Sequence, residues 1–160
     1  MSHPGSPQHL VTRFFGSLRA RRPTPADQVR VAQALTPTEA RLFWAQPPMD
    51  QHHAVVVAAR VGASVDDPVL TRAALLHDVG KRHSRAGVIR RSVASALALV
   101  HLPTSGRLRT YLDHGPLGAA DLLTAGSPDL VVAFAESHHG KRPPGFPEVA
   151  WNLLSIADDS

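Results

Sequence analysis

The sequence contains no cysteine, only two lysines, few aromatic residues and no long apolar run. Without cysteine there is no disulfide, thiolate nucleophile, cysteine-ligated zinc or iron–sulfur cluster, so a transition metal would have to be bound by His and carboxylate side chains. No apolar run approaches the roughly 20 residues of a membrane-spanning helix. The N-terminus also lacks the basic head and apolar block of a secretory signal. These absences predict a cytoplasmic protein that does not bind a membrane.

Aromatic residues make up 5% of the chain and hydrophobic residues 43%, so the core must consist largely of Leu, Val and Ala. This composition favours close-packed helices over strands. The 160 residues suit one domain. The net charge of +4 comes mostly from arginine, which is typical of a solvated surface. The run Arg19, Arg21, Arg22 has no interleaved aromatic residues, so a nucleic-acid partner is not expected.

Capping residues and prolines recur along the chain and predict a series of helices. Thr24-Pro25 and Thr36-Pro37 each place a capping residue before a proline, and Thr36 with Glu39 matches a capping box. We expect Asp50 to cap the third helix and Gly62 to end it. The predicted helices span 24–34, 36–45, 50–62, 68–80, 88–101, 105–113, 115–125, 128–139 and 147–158, with a polar loop at 81–87. The segment VVVAA at 55–59 could be a buried strand, but its Ala content and its helical surroundings favour helix.

The chain has ten histidines, and most of them lie outside the Pro/Gly/Ser-rich N-terminal tail. Several of them stand with Asp at or near the ends of separate predicted helices: His53, His77, Asp78, His114, His138, His139 and Asp158. Helical bundles build metal sites in this way, with ligands that project inward from facing helices. Imidazole and carboxylate bind Fe, Mn, Zn, Co or Ni. Two such ions acidify the water that they bind and clamp the attacking and leaving oxygens of a phosphoryl displacement.

An isolated His is more often an ordinary core or surface residue than a ligand. This interpretation applies to His52 and His101, and we expect His83 to be solvated. The segment LLHDVGK differs, because His77 and Asp78 directly follow two leucines and place two polar groups at the edge of a buried face. A metal ion there would offset the cost of burying a charged carboxylate.

In this order, these residues resemble the HD-domain superfamily of metal-dependent phosphohydrolases. AALLHDVGK matches the central His-Asp motif with its following lysine, and QHHAVVVAARV is similar to the first helix, where Val-Ala at +4 and +5 selects His53 rather than His52. YLDHGPLGAADLL, AESHHGKRPPGFP and LLSIADDS resemble the next histidine helix, the His-His loop of the HD-GYP branch and the closing aspartate helix. The resemblance covers about residues 50–160.

The resemblance implies a fold, a cofactor and a role for each residue. It implies an all-α, single-domain helical bundle of the HD-domain type at 47–160, after a loose basic tail at 1–22 and a short helical preface at 23–46. The cofactor would be one or two divalent transition metal ions, or Mg. The first ion would be held by His53, His77, Asp78 and Asp158. Asp78 would bridge to a second ion held also by His114 and His138, with His139 either joining that site or orienting the substrate. Asp159 is a less favoured alternative to Asp158.

Lys81 would contact a substrate phosphate or the metal-bound water, so the catalytic residues would be Asp78 and Lys81. The chain departs from the HD-GYP pattern: Gly140 replaces a Glu, Gly145-Phe146-Pro147 comes one residue early, and Met49 stands where trinuclear members have Glu. We therefore expect hydrolysis of a phosphomonoester, nucleotide-like and small, rather than of a cyclic dinucleotide. The substrate would be bound by Lys81, Lys141 and Arg142.

Two other interpretations remain open at this point. One is a non-catalytic HD-type module that binds a nucleotide or a partner protein and acts in signalling. A pure binding module would have no need to keep His77, Asp78 and Asp158 together, which favours the enzyme. The other is a helical scaffold whose histidines are incidental.

Overall fold

A computed structural model describes residues 22–84 and 113–159, and all regular secondary structure in these two ranges is helical. This confirms the all-α prediction. The predicted helix at 88–101, nearly all of that at 105–113, and the tail at 1–21 lie outside the described residues. The described elements are α1 (Pro25–Ala34), α2 (Pro37–Trp44), α3 (Pro48–Ser64), α4 (Pro68–Leu76), a 3₁₀ helix (Val79–Ser84), α5 (His114–Thr124), α6 (Asp129–Ser137) and α7 (Glu148–Asp159). None of these helices is long and apolar enough to cross a membrane.

The first two helices begin where the sequence predicts. Thr24 forms a capping box with Asp27, and Thr36 forms one with Glu39. In both helices a proline occupies the first turn, where its missing N–H costs nothing because that group has no partner within a helix.

The predicted bounds of α3 are wrong at both ends. The helix begins at Pro48 after Pro47, so Asp50 lies inside the first turn and does not cap it. There its carboxylate still suits the positive end of the helix dipole. Gly62 lies inside the helix, which continues to Ser64. One glycine costs a helix only about 1 kcal/mol, and the buried Val61 holds this turn against the core.

The helices at 68–80 and 128–139 are also shorter than predicted. The α4 helix ends at Leu76, which leaves His77 as its C-cap and Asp78 in the following turn. A 3₁₀ helix replaces the first half of the predicted polar loop. Similarly, α6 ends at Ser137 and leaves His138 as its C-cap. In both cases the His ring bonds a carbonyl of the last helical turn, so the ring itself helps to end the helix.

The core forms around α4, which packs against α1, α2, α3, α6 and α7. The residues from Ala73 to Leu76 are all buried, as expected for a helix that is covered on every side. Around them lie Leu, Val and Ala side chains together with Phe43 and Phe134, which agrees with the expected composition of the core. Because α4 runs through the middle of the bundle, its C-terminal end delivers His77 and Asp78 to a buried position.

Glu39 joins the preface to this core. It is fully buried on α2, and its Oε1 accepts hydrogen bonds from Nη2 of Arg72 (2.6 Å) and from the hydroxyl of Ser127 (2.7 Å). Its Oε2 accepts a hydrogen bond from the backbone N–H of Thr36 (2.9 Å). One carboxylate therefore links α2, α4 and the α5–α6 connection. Sequence reasoning assigned Glu39 a local capping role and missed the two long-range bonds.

Candidate metal centre

The His and Asp side chains that the sequence singles out come together in two adjacent groups. The first group consists of His53, His77 and Asp158, and the second group consists of Asp78, His114, His138 and His139. Within each group, the possible ligand atoms lie within 4.8 Å of one another. Each group is therefore able to hold a metal ion.

The first group joins α3, the end of α4 and the last turn of α7. Nε2 of His53 lies 2.8 Å from Oδ1 of Asp158, and Nε2 of His77 lies 3.4 Å from the same oxygen. Asp158 is buried, whereas the exposed Asp159 belongs to neither group. His52 also belongs to neither group, so the geometry agrees with the choice of His53 and Asp158 over their neighbours. His101 lies outside the described residues.

The second group joins Asp78 to the first residue of α5 and the turn after α6. Nε2 of His114 and Nε2 of His138 each lie 3.4 Å from Oδ1 of Asp78. The ring of His139 lies against that of His138, with centroids 4.0 Å apart. The other carboxylate oxygen of Asp78, Oδ2, lies 3.4 Å from Nε2 of His77 in the first group. Asp78 thus faces one group with each of its oxygens, which is the position of a bridging carboxylate.

Two of the histidine rings are oriented as metal ligands are. Nδ1 of His77 donates to the carbonyl of Ala74 (2.9 Å), and Nδ1 of His138 donates to the carbonyl of Ala135 (3.0 Å). Because a carbonyl only accepts, each Nδ1 carries a proton and each Nε2 faces the carboxylates. Histidines that bind metals are held by their other ring nitrogen in this way.

Several polar atoms in the centre lack an ordinary hydrogen bond. Among the described residues, Nε2 of His77, Nε2 of His138 and Oδ1 of Asp78 are buried without a partner of normal geometry. Such an atom costs about 1–3 kcal/mol. One divalent cation in each group would satisfy these atoms, at His77 in the first group and at His138 and Oδ1 of Asp78 in the second. Imidazole with carboxylate is a donor set that transition metals accept. The residues present therefore fit a metal ion.

The electrostatics of the first group favour a cation. Burial alone would raise the pKa of Asp78, but Lys81, His77 and the other histidines hold it well below its usual range. Burial likewise opposes ionisation of Asp158, yet His77 and His53 lower its pKa. Although burial works against a charged ring, the two carboxylates raise the pKa of His77 to about 10. Both carboxylates are therefore ionised at neutral pH, and their negative field holds a proton on the His77 ring, which a metal ion bound at Nε2 would displace.

In the second group, the surroundings of His138 and His139 favour neutral rings. Burial lowers the pKa of His138, and burial together with the neighbouring His138 lowers that of His139. A neutral imidazole has the lone pair that a metal ligand needs. No proton has to leave these two rings before they can bind an ion.

Two of the three predicted substrate-binding residues lie beside the second group. Nζ of Lys81, which is buried, donates to Oδ2 of Asp78. Lys141 lines a cavity of about 230 Å³ whose wall also contains His114, His138 and His139. Arg142 does not line this cavity: its Nη1 donates to the carbonyl of Phe146 (2.8 Å) and its Nη2 lies 3.9 Å from Glu148. The guanidinium therefore holds the loop before α7.

Three glycines bring α5 close enough to place His114 in the second group. A Cβ on Gly80 would lie 1.9 Å from the carbonyl oxygen of His114, and one on Gly115 would lie 2.6 Å from that of Glu136. Gly118 faces Gly80 at similarly short range. Sequence reasoning missed these contacts. The spacing of Gly115 and Gly118 could have indicated them, because residues three positions apart lie on one face of a helix.

A surface ion cluster also fastens the 3₁₀ helix to α5. Nε2 of His83 lies 2.6 Å from Oδ2 of Asp121, and Nη2 of Arg82 lies 2.8 Å from the same oxygen. His83 is exposed, as predicted, but its ion pair with Asp121 was not predicted. The cluster fixes the element that carries Lys81.

No family model, curated protein or solved structure matches the chain. The resemblance to the HD-domain superfamily therefore rests on the sequence motifs alone. The geometry of the two groups is an independent observation.

Proposed function

We propose that the protein is a metal-dependent phosphohydrolase of the HD-superfamily type, and that it hydrolyses a small phosphomonoester. The observation that carries this proposal is the position of Asp78, whose two carboxylate oxygens face two separate groups of ligands. A single structural metal site would need only one such group. When bound, a pair of divalent ions supplies Lewis-acid stabilisation of phosphoryl oxygens and a nucleophile at neutral pH.

The residues of the chain divide this work between them. His53, His77 and Asp158 would hold one ion, and the second group would hold the other, with Asp78 common to both. The carbonyls of Ala74 and Ala135 fix the rings of His77 and His138 through Nδ1, so that Nε2 keeps its direction. Preorganised ligands of this kind lower the cost of assembling the site.

Lysine side chains would bind the phosphate. Nζ of Lys81 lies against Asp78, so a phosphate held at the bridging carboxylate would come within its reach. Lys141 stands in the wall of the adjacent cavity, where its charge attracts an anion. Arg142 is bound to the loop backbone and is not assigned to the substrate.

The size of the cavity supports a small substrate. Its volume of about 230 Å³ lies below the roughly 300–1,000 Å³ of sites for drug-sized ligands. The phosphate and the adjoining part of a monoester fit in this volume. We therefore retain the expectation of a phosphomonoester.

The test combines metal analysis with a substrate panel. Protein purified without chelator, with and without oxygen, is expected to carry about one to two transition metal ions per chain by elemental analysis. Phosphomonoesters, nucleotides and cyclic dinucleotides are then assayed with Mn, Fe, Co, Ni and Mg. Release of phosphate from a monoester supports the proposal. A metal content equal to that of the buffer in both preparations contradicts it, and full loading without turnover of any ester would favour the non-catalytic binding module.

A further inference from the structure

We infer that Arg60 is the positioning residue for Asp158, a role that rests on the proposed function of the first group as a metal site. Nη1 of Arg60 donates to the backbone carbonyl of Ala157 at 2.9 Å. That carbonyl belongs to the residue directly before the ligand. Neither the sequence motifs nor the resemblance points to this arginine.

The register of α3 explains why Arg60 reaches this point. Arg60 follows His53 by seven residues, or about two helical turns, so both side chains lie on one face of α3. Their partners on α7 are consecutive: Arg60 bonds Ala157 and His53 contacts Asp158. The α3 helix therefore holds the last turn of α7 at two points, one on the backbone and one on the side chain.

The backbone contact matters because it lies at the end of a helix. The last four carbonyls of an α-helix have no partner within the helix, and Ala157 belongs to this last turn of α7. Ala157 is buried, so water does not readily replace the missing partner. A guanidinium at this position satisfies the carbonyl and also suits the negative end of the helix dipole.

The rest of the environment of Arg60 indicates that this is its principal contact. Among the residues that the structure describes, no carboxylate lies within ion-pair distance of its guanidinium. The earlier turns of α7 are held by the buried side chains of Trp151 and Leu154. The final turn, which must place Oδ1 of Asp158 between His53 and His77, depends on Arg60 in addition to His53. Loss of the guanidinium should loosen that turn and leave the second group intact.

The experiment uses the full-length protein with Arg60→Met, which keeps the aliphatic stem and removes the guanidinium. Titration with Mn²⁺ or Zn²⁺ should show that one ion binds at least about 10-fold more weakly, because residues that support metal ligands are worth about 10–100-fold in affinity. The other ion should bind as in the wild type. Arg60→Lys should restore most of the loss. Arg41→Met is the matched control, since the guanidinium of Arg41 bonds only Thr38 of its own helix in the described residues.

A second readout does not need a metal. The imidazole nitrogen resonances of His53 report its contact with Asp158, and amide exchange reports fraying of residues 156–159. Both should change in Arg60→Met and stay unchanged in Arg41→Met. If the wild type binds no metal, the proposed function fails, and these two readouts still decide whether Arg60 positions Asp158.

Three results would overturn the inference. The first is wild-type affinity for both ions with unchanged His53 signals. The second is equal weakening of both ions with a lowered unfolding temperature, which would indicate a general structural role. The third is failure of Arg60→Lys to recover any of the lost affinity or of the His53 signal.

Discussion

The rings of His77 and His138 stand edge to face with their centroids 5.0 Å apart, yet they address opposite oxygens of Asp78. The two rings come from the turns that follow α4 and α6, so the contact is tertiary. It places the two ligand groups side by side, with the Asp78 carboxylate between them.

Asp78→Ala should remove both ions, whereas Asp158→Ala should remove one. The reason is that Asp78 faces both groups and Asp158 only the first. Elemental analysis of the purified variants measures the stoichiometry, and phosphate release measures the activity. Asp66→Ala, which alters an exposed carboxylate between α3 and α4, is the control. Full metal loading and activity in Asp78→Ala would mean that the centre lies elsewhere.

Lys81→Met should keep the metal and lose turnover. The ammonium group contacts Asp78 but would act on substrate phosphate, and a hydrogen bond to a charged group is worth about 1.5–3 kcal/mol. We therefore expect kcat/KM to fall about 10- to 100-fold with unchanged metal content. Loss of metal together with activity would assign Lys81 to the assembly of the centre.

Gly80→Ala should destabilise the protein and displace His114. An added Cβ would overlap the carbonyl oxygen of His114 at 1.9 Å. This oxygen belongs to the backbone of α5, which has little room to move. We expect a loss of about 3 kcal/mol in the free energy of unfolding, at the upper end of overpacking effects. Urea denaturation measures this loss.

Gly62→Ala is the matched control for this substitution. Gly62 lies inside α3 with nothing within 4 Å of its Cβ position. Alanine there should stabilise the protein by about 0.5–1 kcal/mol. If Gly80→Ala changes the free energy of unfolding as Gly62→Ala does, then α5 does not approach the 3₁₀ helix as closely as the structure shows.

Glu39 should make stability depend on pH. Burial alone would raise its pKa, but the hydrogen bonds from Arg72, Thr36 and Ser127 lower it below its usual value. A carboxylate with a lowered folded-state pKa adds stability above its unfolded pKa of about 4.3, and this is lost as pH falls through the folded-state value.

Glu39→Gln should therefore cost about 3 kcal/mol at pH 7, because it leaves Arg72 without its carboxylate partner. The difference from the wild type should shrink below about pH 4. Denaturation midpoints from pH 3 to pH 7 measure it, and Glu148→Gln, at an exposed position, is the control. A difference that stays constant over this range would contradict the argument.

Sequence reasoning succeeded where the determining interactions are local. The caps at Thr24 and Thr36 depend on residues three positions away. The choice of His53 over His52 came instead from the resemblance to the HD-domain superfamily. It failed where distant parts of the chain decide. The end of α4 depends on the His77 ring and its surroundings, and the role of Glu39 depends on Arg72 and Ser127.

The contact between His53 and Asp158 spans 105 residues and has a consequence for the order in which the two ligand groups are assembled. Contacts of such long sequence separation form slowly, because the entropy of loop closure is lost first. A chain that has folded as far as His139 already holds all four members of the second group, but only two of the three members of the first. We therefore expect the second group to form first and the docking of α7 to complete the first group.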